Sequence, residues 1–260
     1  MRQKAPGLVM QSVDRALAIL LVLAQGPAAG LPLAEISRAL GLNQSTCHHL
    51  LSTLKARRFV EQDPASRRYR LGIKAVEVGQ AAVQQVDLAR VALPRMEELM
   101  RAAQENVNLV ILEEDSAVYV AQVPCDRTVR MFTRIGERAP LHCTGVGKVL
   151  LAYLPEAERT ALLARTGLPR FTPNTICDPA ALDEELKKVK AQGYALDHEE
   201  REQDVACLAA PVRDYRGQVV AALSISAPAS RLGPERQAEL LPRLLETAAA
   251  IARDLGWTGE

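Results

Sequence analysis

The 260-residue chain is 48% hydrophobic and 24% charged, with 3% aromatic residues, proportions that exclude wholesale disorder, a collagen-like repeat and a simple coiled coil. Net charge is +1, yet residues 1–74 hold 11 Lys and Arg against four acids, a net +7, while the other 186 residues hold 21 against 27, a net −6. A basic segment joined to an acidic remainder suggests that the first part meets a polyanion and the second does something else.

No segment reaches the ~18–20 apolar residues of a membrane span. The early apolar run, residues 16–24, is too short and lacks a small-residue cleavage site, so the expectation is a cytoplasmic protein with no membrane partner. Five scattered cysteines (Cys47, Cys125, Cys143, Cys177, Cys207), with no CxxC pair, read as reduced thiols rather than a disulfide framework or zinc ribbon. No cofactor is expected.

In chain order, residues 12–23 carry Val13, Leu17, Leu20 and Leu21 at helical spacing behind a Ser cap. The stretch GPAAGLP breaks that helix. Residues 33–40 form a short second helix with Leu33, Ile36 and Leu40 on one face, and Gly41 ends it. A third helix opens at Asn43 or Gln44 and runs to about Arg57, with Cys47, Leu50, Leu51 and Leu54 inward. Residues 59–62 and 69–71 are strand patterns around an Asp63-Pro64 turn, a hairpin with a basic tip. A helical stretch, residues 74–90, leads out, and a further helix covers 93–103.

The character then changes. Residues 107–112 and 117–121 form a hairpin, with another strand candidate at 129–134. A helix at 145–154 is entered from a Gly-rich turn, and a second follows at 155–165. Asp178-Pro179 starts a helix over 180–192 that Gly193 stops. Strands at 205–212 and 219–226 flank a turn, and an amphipathic helix at 234–255 ends at Gly256. The expected organisation is a first domain over 1–74, a linker helix over 75–92 and a second domain over 93–260.

Two short helices, a Gly turn, a third helix and a basic hairpin make a winged helix-turn-helix. Its third helix turns Gln44, Ser45, Thr46, His48, His49, Ser52 and Thr53 outward, small polar groups that reach base edges or phosphates in a major groove. Arg67 and Arg68 at the hairpin tip would straddle the DNA backbone or enter the minor groove. The alternative is a three-helix bundle with a solvated polar face. A metal site at Cys47-His48-His49 is disfavoured, because adjacent helical residues point about 100° apart.

In the second part, Thr144-Gly145-Val146-Gly147-Lys148 invites a phosphate-loop reading. The spacing is wrong: position 142 is His and Val149 replaces the required Ser or Thr. What survives is a turn of backbone amides at a helix start, able to hold a small carboxylate, or a Gly turn for close packing only. Ser224 and Ser226 lie two apart in a strand and face one side. They are either placed polar groups in an apolar pocket or groups satisfied by the sheet, with Cys207 a small buried hydrophobe.

The stretches SVDRALAILLVLA, LPLAEISRALGLNQSTCHHLLSTL, RRFVEQDPASRRYRLG, LHCTGVGKVLLAYLP and CLAAPVRDYRGQVVAALSISAPASRL resemble the IclR family of bacterial transcriptional regulators over nearly the whole chain. The resemblance implies an α+β protein: an N-terminal winged helix-turn-helix, a linker helix and a GAF-like α/β effector-binding domain with a largely antiparallel sheet. It implies that Asp197, Cys207, Ser224 and Ser226 are polar effector contacts, Gly145 and Val146 backbone donors, and Met131 part of the apolar lining. Where the family commonly has Arg in the recognition helix, this chain has His49, so operator sequence does not carry over.

The partners expected are double-stranded operator DNA, a small organic acid, and the chain itself as dimer or tetramer, pairing through residues 76–86. Ser224 lacks a nucleophile-elbow context, and Cys207 has no adjacent His, so no catalytic residue is assigned. A thiol- or metal-responsive regulator, and an enzyme with an accessory nucleic-acid module, are the other classes.

Overall fold

The computed structural model describes residues 10–84, 87–128, 131 and 133–259. The chain divides into two compact units, Met1–Val86 and Asp87–Glu260.

The first unit contains α1 (Gln11–Ala24), α2 (Leu33–Ala39), α3 (Gln44–Ala56), β1 (Val60–Gln62), β2 (Tyr69–Leu71) and α4 (Ile73–Gln84). Its core is Ile19, Leu23, Ile36, Cys47, Leu51, Val60 and Tyr69, which takes about one residue per helical turn from each helix. The inward face of α1 differs from the expected one. Ile19 and Leu23 point in, while Val13, Leu17 and Leu21 are 52%, 56% and 65% exposed. The stretch AILLVL is apolar all round, so spacing alone could not choose the face.

The wing β1–β2 is antiparallel and gains a third position, where Leu31 and Tyr69 exchange backbone hydrogen bonds of 2.8 and 2.9 Å. Gly30 makes this possible: its φ is +80° and a Cβ there would lie 2.5 Å from the Tyr69 carbonyl oxygen, an approach only glycine allows.

The second unit comprises α5 (Leu88–Ala103), β3 (Asn106–Glu113), β4 (Ser116–Val123), β5 (Arg138–Ala139), α6 (Gly145–Tyr153), α7 (Glu156–Thr166), α8 (Pro179–Gln192), β6 (Ala195–His198), β7 (Val205–Arg213), β8 (Val219–Pro228) and α9 (Pro234–Asp254). The strands form one sheet in the order β5-β4-β3-β8-β7-β6, with every neighbouring pair antiparallel. Helices cover both faces. On one side Ala92, Met96, Leu99 and Ala103 of α5 and Leu240, Leu244, Ala248 and Ile251 of α9 pack on Leu208, Ala210, Leu223 and Ile225. On the other, Val146, Val149 and Leu150 of α6 and Leu182, Leu186 and Val189 of α8 pack on Val110, Ala195, Ala209 and Ala222. Strand residues alternate between the two cores, and the second face also carries the polar residues treated below.

Three expectations need correction. The linker is not one helix over 75–92: α4 ends at Gln84, and α5 starts at Leu88 because the Asp87 carboxylate caps it, accepting from the Arg90 amide at 3.1 Å. Pro94 sits inside α5, within its second turn. Of the strand candidate over 129–134, positions 129, 130 and 132 lie outside the described residues, while Met131, Thr133 and Arg134 are irregular. Strands β5 and β6, two and four residues long, went unread because neither is long enough to show alternation.

Candidate functional site

In the first unit α3 is capped by Asn43, whose side chain accepts from the Thr46 amide at 2.8 Å. With Cys47 and Leu51 buried, Gln44, Ser45, His48, His49, Ser52 and Thr53 form one exposed stripe. Thr46 is half-buried beside the cap. The hairpin turn is built by Asp63, whose Oδ1 accepts from the Ala65 and Ser66 amides and the Ser66 hydroxyl at 3.1, 2.7 and 2.9 Å. Those bonds hold its carboxyl below the ordinary carboxylate range. Arg67 is exposed at the tip with φ +60°. Arg68 is not presented with it: its guanidinium turns back and donates to the Gly30 carbonyl at 2.9 Å. The turn decides this, since the left-handed backbone at Arg67 sends the two successive side chains different ways.

In the second unit the polar residues lie on the α6 face of the sheet. Strand register sets Asp197 opposite Cys207, Cys207 opposite Ser226, and Ser226 opposite Asn106. One row along, Ala209, Ser224, Asn108 and Gln122 stand side by side. Ser226 Oγ receives the Asn108 amide and the Cys207 thiol, each at 3.2 Å. Asn108 accepts from the Thr133 hydroxyl at 3.1 Å, and Gln122 donates to that hydroxyl. Asn106 donates to the Met131 carbonyl at 2.5 Å. These bonds bring Met131 and Thr133 to the cluster.

Above Cys207 and Asp197 stands the start of α6. A Cβ at Gly145 would sit 3.6 Å from the Cys207 Cβ and 3.7 Å from the Asp197 Cβ. Thr144 caps the helix by accepting from the Gly147 amide at 3.1 Å. The amides of Gly145 and Val146 are those a helix start leaves without an intrahelical acceptor. No other acceptor takes them among the described residues, although both are buried. The Ser224 hydroxyl makes no hydrogen bond among the described residues, and the side-chain oxygen sealed without a partner there is Glu200 Oε2. Asp197 uses one oxygen, accepting from the Glu200 amide at 2.9 Å. The site thus gathers two unspent backbone donors, a hydroxyl and a carboxyl oxygen.

Burial sets the titration of this cluster. It raises Asp197 to about 7, with the Glu200 amide and the charges of Lys148 and Arg201 opposing the rise. It lifts Cys143 to about 12, and it pushes the Cys207 thiol well above its ordinary value. Neither thiol is a ready thiolate at neutral pH. Behind Asp197, Lys148 (1% exposed) pairs with Glu200 at 2.5 Å and approaches Glu185 at 3.6 Å. A surface depression of about 370 Å³ is lined by Lys148, Glu185, Leu196 and Glu200 among others, and one of about 410 Å³ runs between α7 and α8, lined by Arg159, Leu163, Asp183 and Leu186 among others. The cluster on the sheet is covered.

The helix-turn-helix model of the IclR type matches residues 12–64, and the model of the bacterial transcriptional regulator IclR C-terminal region matches residues 80–253. The chain belongs to the IclR family. It is 39% identical over 249 residues to the HTH-type transcriptional regulator XynR of Escherichia coli, covering 96% of this chain and 98% of that one. It is 39% identical over 246 residues to the HTH-type transcriptional repressor AllR of Klebsiella pneumoniae, covering 95% and 90%. The crystal structure of Pseudomonas aeruginosa HmgR superposes with a TM-score of 0.80 at 31% identity, over 96% of this chain and all of that one.

As an IclR-family member the chain is a DNA-binding transcriptional regulator, and the enzyme alternative falls. Among the described residues no helix is long and apolar enough to cross a membrane. Asn106, Asn108, Gln122 and Glu200 carry no sequence motif that marks them, and Lys148 stands in the phosphate-loop-like stretch but serves as the buried partner of Glu200. The NVN pattern at residues 106–108, polar at both ends of a strand start, was the one signal available.

Proposed function

We propose that this IclR-type regulator binds a small organic acid between the Gly145 and Val146 amides and the Asp197, Cys207, Ser224 and Ser226 row, and that the acid changes operator affinity. One observation carries the reading: two amides of buried residues at a helix start have no acceptor among the described residues, and the Ser224 hydroxyl nearby makes no hydrogen bond among them. Buried polar groups are rarely left so, and a carboxylate at a helix N-terminus answers the amides. Asp197 fits an anion because its proton is retained to about pH 7, which removes the repulsion a bare carboxylate would cause. Met131 supplies part of the apolar surround. The raised titration of Cys207 and Cys143 argues against a thiol switch, and among the described residues no three His, Cys, Asp or Glu come together as metal ligands.

On the DNA side, Gln44, Ser45, His48, His49 and Ser52 are the base-reading stripe, with Thr46 behind them, and Arg67 a phosphate contact. A single recognition helix reads too few base pairs to find an operator, so two copies act together. The exposed Val13, Leu17 and Leu21 of α1 and Ile73 and Val76 of α4 suit pairing with a second copy. The test is a titration of ligand and operator in both orders, since coupling is reciprocal. A carboxylate that binds with equal affinity in the presence and absence of operator would end the sensor reading.

A further inference from the structure

The effector reading accounts for the amides, the hydroxyls and Asp197, but among the described residues it leaves the Arg201 guanidinium unused. Arg201 lies on the turn between β6 and β7, four residues after Asp197. The backbone of that turn is firmly held: the Glu199 carbonyl accepts from the Thr172 hydroxyl at 2.6 Å, the Glu200 carbonyl from the Thr175 hydroxyl at 2.6 Å, and the Glu200 carboxylate from Lys148. The Arg201 guanidinium is not. Its contact among the described residues is Glu137 at 3.8 Å, beyond hydrogen-bonding range. Elsewhere in this unit Arg138, Arg165 and Arg231 meet their carboxylates at 2.7, 2.5 and 2.6 Å.

Glu137 stands on the other lip of the cluster, in the turn that follows Thr133, and its second oxygen accepts from the Arg134 amide at 3.0 Å. Arg201 and Glu137 therefore approach across the segments that flank the polar row. Asp197 accepts from the amide of Glu200, the residue before Arg201, at 2.9 Å, and the Glu137 carbonyl accepts from the Tyr119 amide of β4 at 3.1 Å, so Arg201 and Glu137 are both tied to the strands that carry the cluster. A planar fork with five N–H donors and no hydrogen bond made is matched in shape to a carboxylate.

We propose that Arg201 is a specificity-determining residue of the effector site. It takes a second carboxylate of the ligand, exchanging its loose contact with Glu137 for a bidentate one, so the effector class is a dicarboxylate. This rests on the effector reading above, in which the first carboxylate sits on the Gly145 and Val146 amides. The Glu137 carboxylate is the competitor that the second carboxylate displaces.

The experiment is calorimetric titration of the full-length protein with the unbranched dicarboxylates from malonate to adipate, each beside its monoamide. Wild type should prefer at least one diacid over its monoamide by roughly tenfold or more, the worth of a charge-assisted pair. Arg201→Gln should abolish that preference and leave monoamide affinity unchanged, Arg201→Lys should restore part of it, and Glu137→Gln should tighten the diacid. Ser224→Ala should weaken diacid and monoamide alike, which separates the two readings. Equal loss for both ligands in Arg201→Gln, a preference that survives it, or binding of monoamides without any diacid preference would overturn the role of Arg201 alone. If no carboxylate binds wild type at all, the effector reading fails and this proposal with it.

Discussion

The two units put their polar side chains in opposite surroundings. On α3 the stripe from Gln44 to Thr53 faces solvent, and among the described residues its one side-chain hydrogen bond is local, from the Thr53 hydroxyl to the His49 carbonyl at 3.1 Å. On the sheet of the second unit Asn106, Asn108, Asp197, Ser224 and Ser226 are all at most 6% exposed, and most are spoken for by neighbours. A hydrated polar surface is cheap to keep and works through charge and shape offered to a partner. A buried polar row is costly unless matched, so its unmatched members mark where a ligand belongs. The first surface can change residue by residue, whereas the second behaves as a unit.

The comparison breaks most visibly at the two glycines of α6. A Cβ at Gly147 would lie 2.2 Å from the Leu141 carbonyl oxygen and 2.5 Å from its Cα. Gly147→Ala should therefore cost about 3 kcal/mol or more, at the top of the overpacking range, in denaturant unfolding of the second unit. Gly145→Ala meets only ordinary contacts of 3.4 to 3.7 Å and should fold. Its methyl would occupy the space beside Cys207 and Asp197, so ligand-induced thermal stabilisation should vanish. An equally destabilised Gly145→Ala would mean that the turn serves packing only.

The buried carboxyl gives the next effect. Asp197 is raised to about 7, against the ordinary 3.8. The folded state thus holds a proton that the unfolded chain releases near pH 4, so this contribution is full below pH 4 and is lost as pH rises from 4 to 7. The loss should be on the order of 4 kcal/mol. Asp197→Asn keeps an acceptor for the Glu200 amide and should flatten the fall in stability between pH 4 and 7. Carboxylate affinity should drop above pH 7 in wild type, by up to about tenfold per unit, and stay level in the variant. A wild-type binding curve with no pH dependence between 6 and 8 would contradict the protonated form.

Within the row, the two serines separate structure from binding. Ser226→Ala strands the Asn108 amide and the Cys207 thiol, at a cost of about 1–3 kcal/mol in unfolding free energy. Ser224→Ala removes a hydroxyl that bonds nothing, so stability should hold within about 0.5 kcal/mol while carboxylate affinity falls. The reverse pattern would relocate the ligand toward β3.

The smallest effects belong to the exposed unit. Arg67→Ala should lower the slope of log affinity against log salt by about 0.9, one phosphate contact, at every DNA sequence. Arg68→Ala should leave that slope and instead loosen the wing, because its guanidinium holds the Gly30 carbonyl. Gln44→Ala should alter which bases are preferred at unchanged slope. Equal slope changes for both arginines would mean that Arg68 swings out to DNA.

Sequence was most informative where a signal is local. The α3 stripe follows from a 3.6-residue period and polar side chains. Asp178 before Pro179 marked a helix start, and its carboxylate does accept from the Ala181 amide at 2.8 Å. The one-sidedness of Ser224 and Ser226 needs only the alternation of a strand. Polar side chains on a strand buried on both faces were harder, since Asn106 and Asn108 gain meaning only beside Ser226 and Ser224.

By itself, then, the sequence determined helix starts and stops, the charge division between the units, and which strand residues share a face, because each depends on backbone sterics and side-chain type within a few positions. Tertiary structure alone decided which face of the apolar AILLVL stretch of α1 turns inward, the turning of Arg68 onto Gly30, and the meeting of Asn108 with Ser226, 118 residues apart. It also decided the pairing of Lys148 with Glu200 and the loose meeting of Arg201 with Glu137. The physical reason is register. A slip of one residue would turn every side chain of a strand to the other core, and the register of β3 on β8 is set by packing both faces at once, a condition no short stretch of sequence contains.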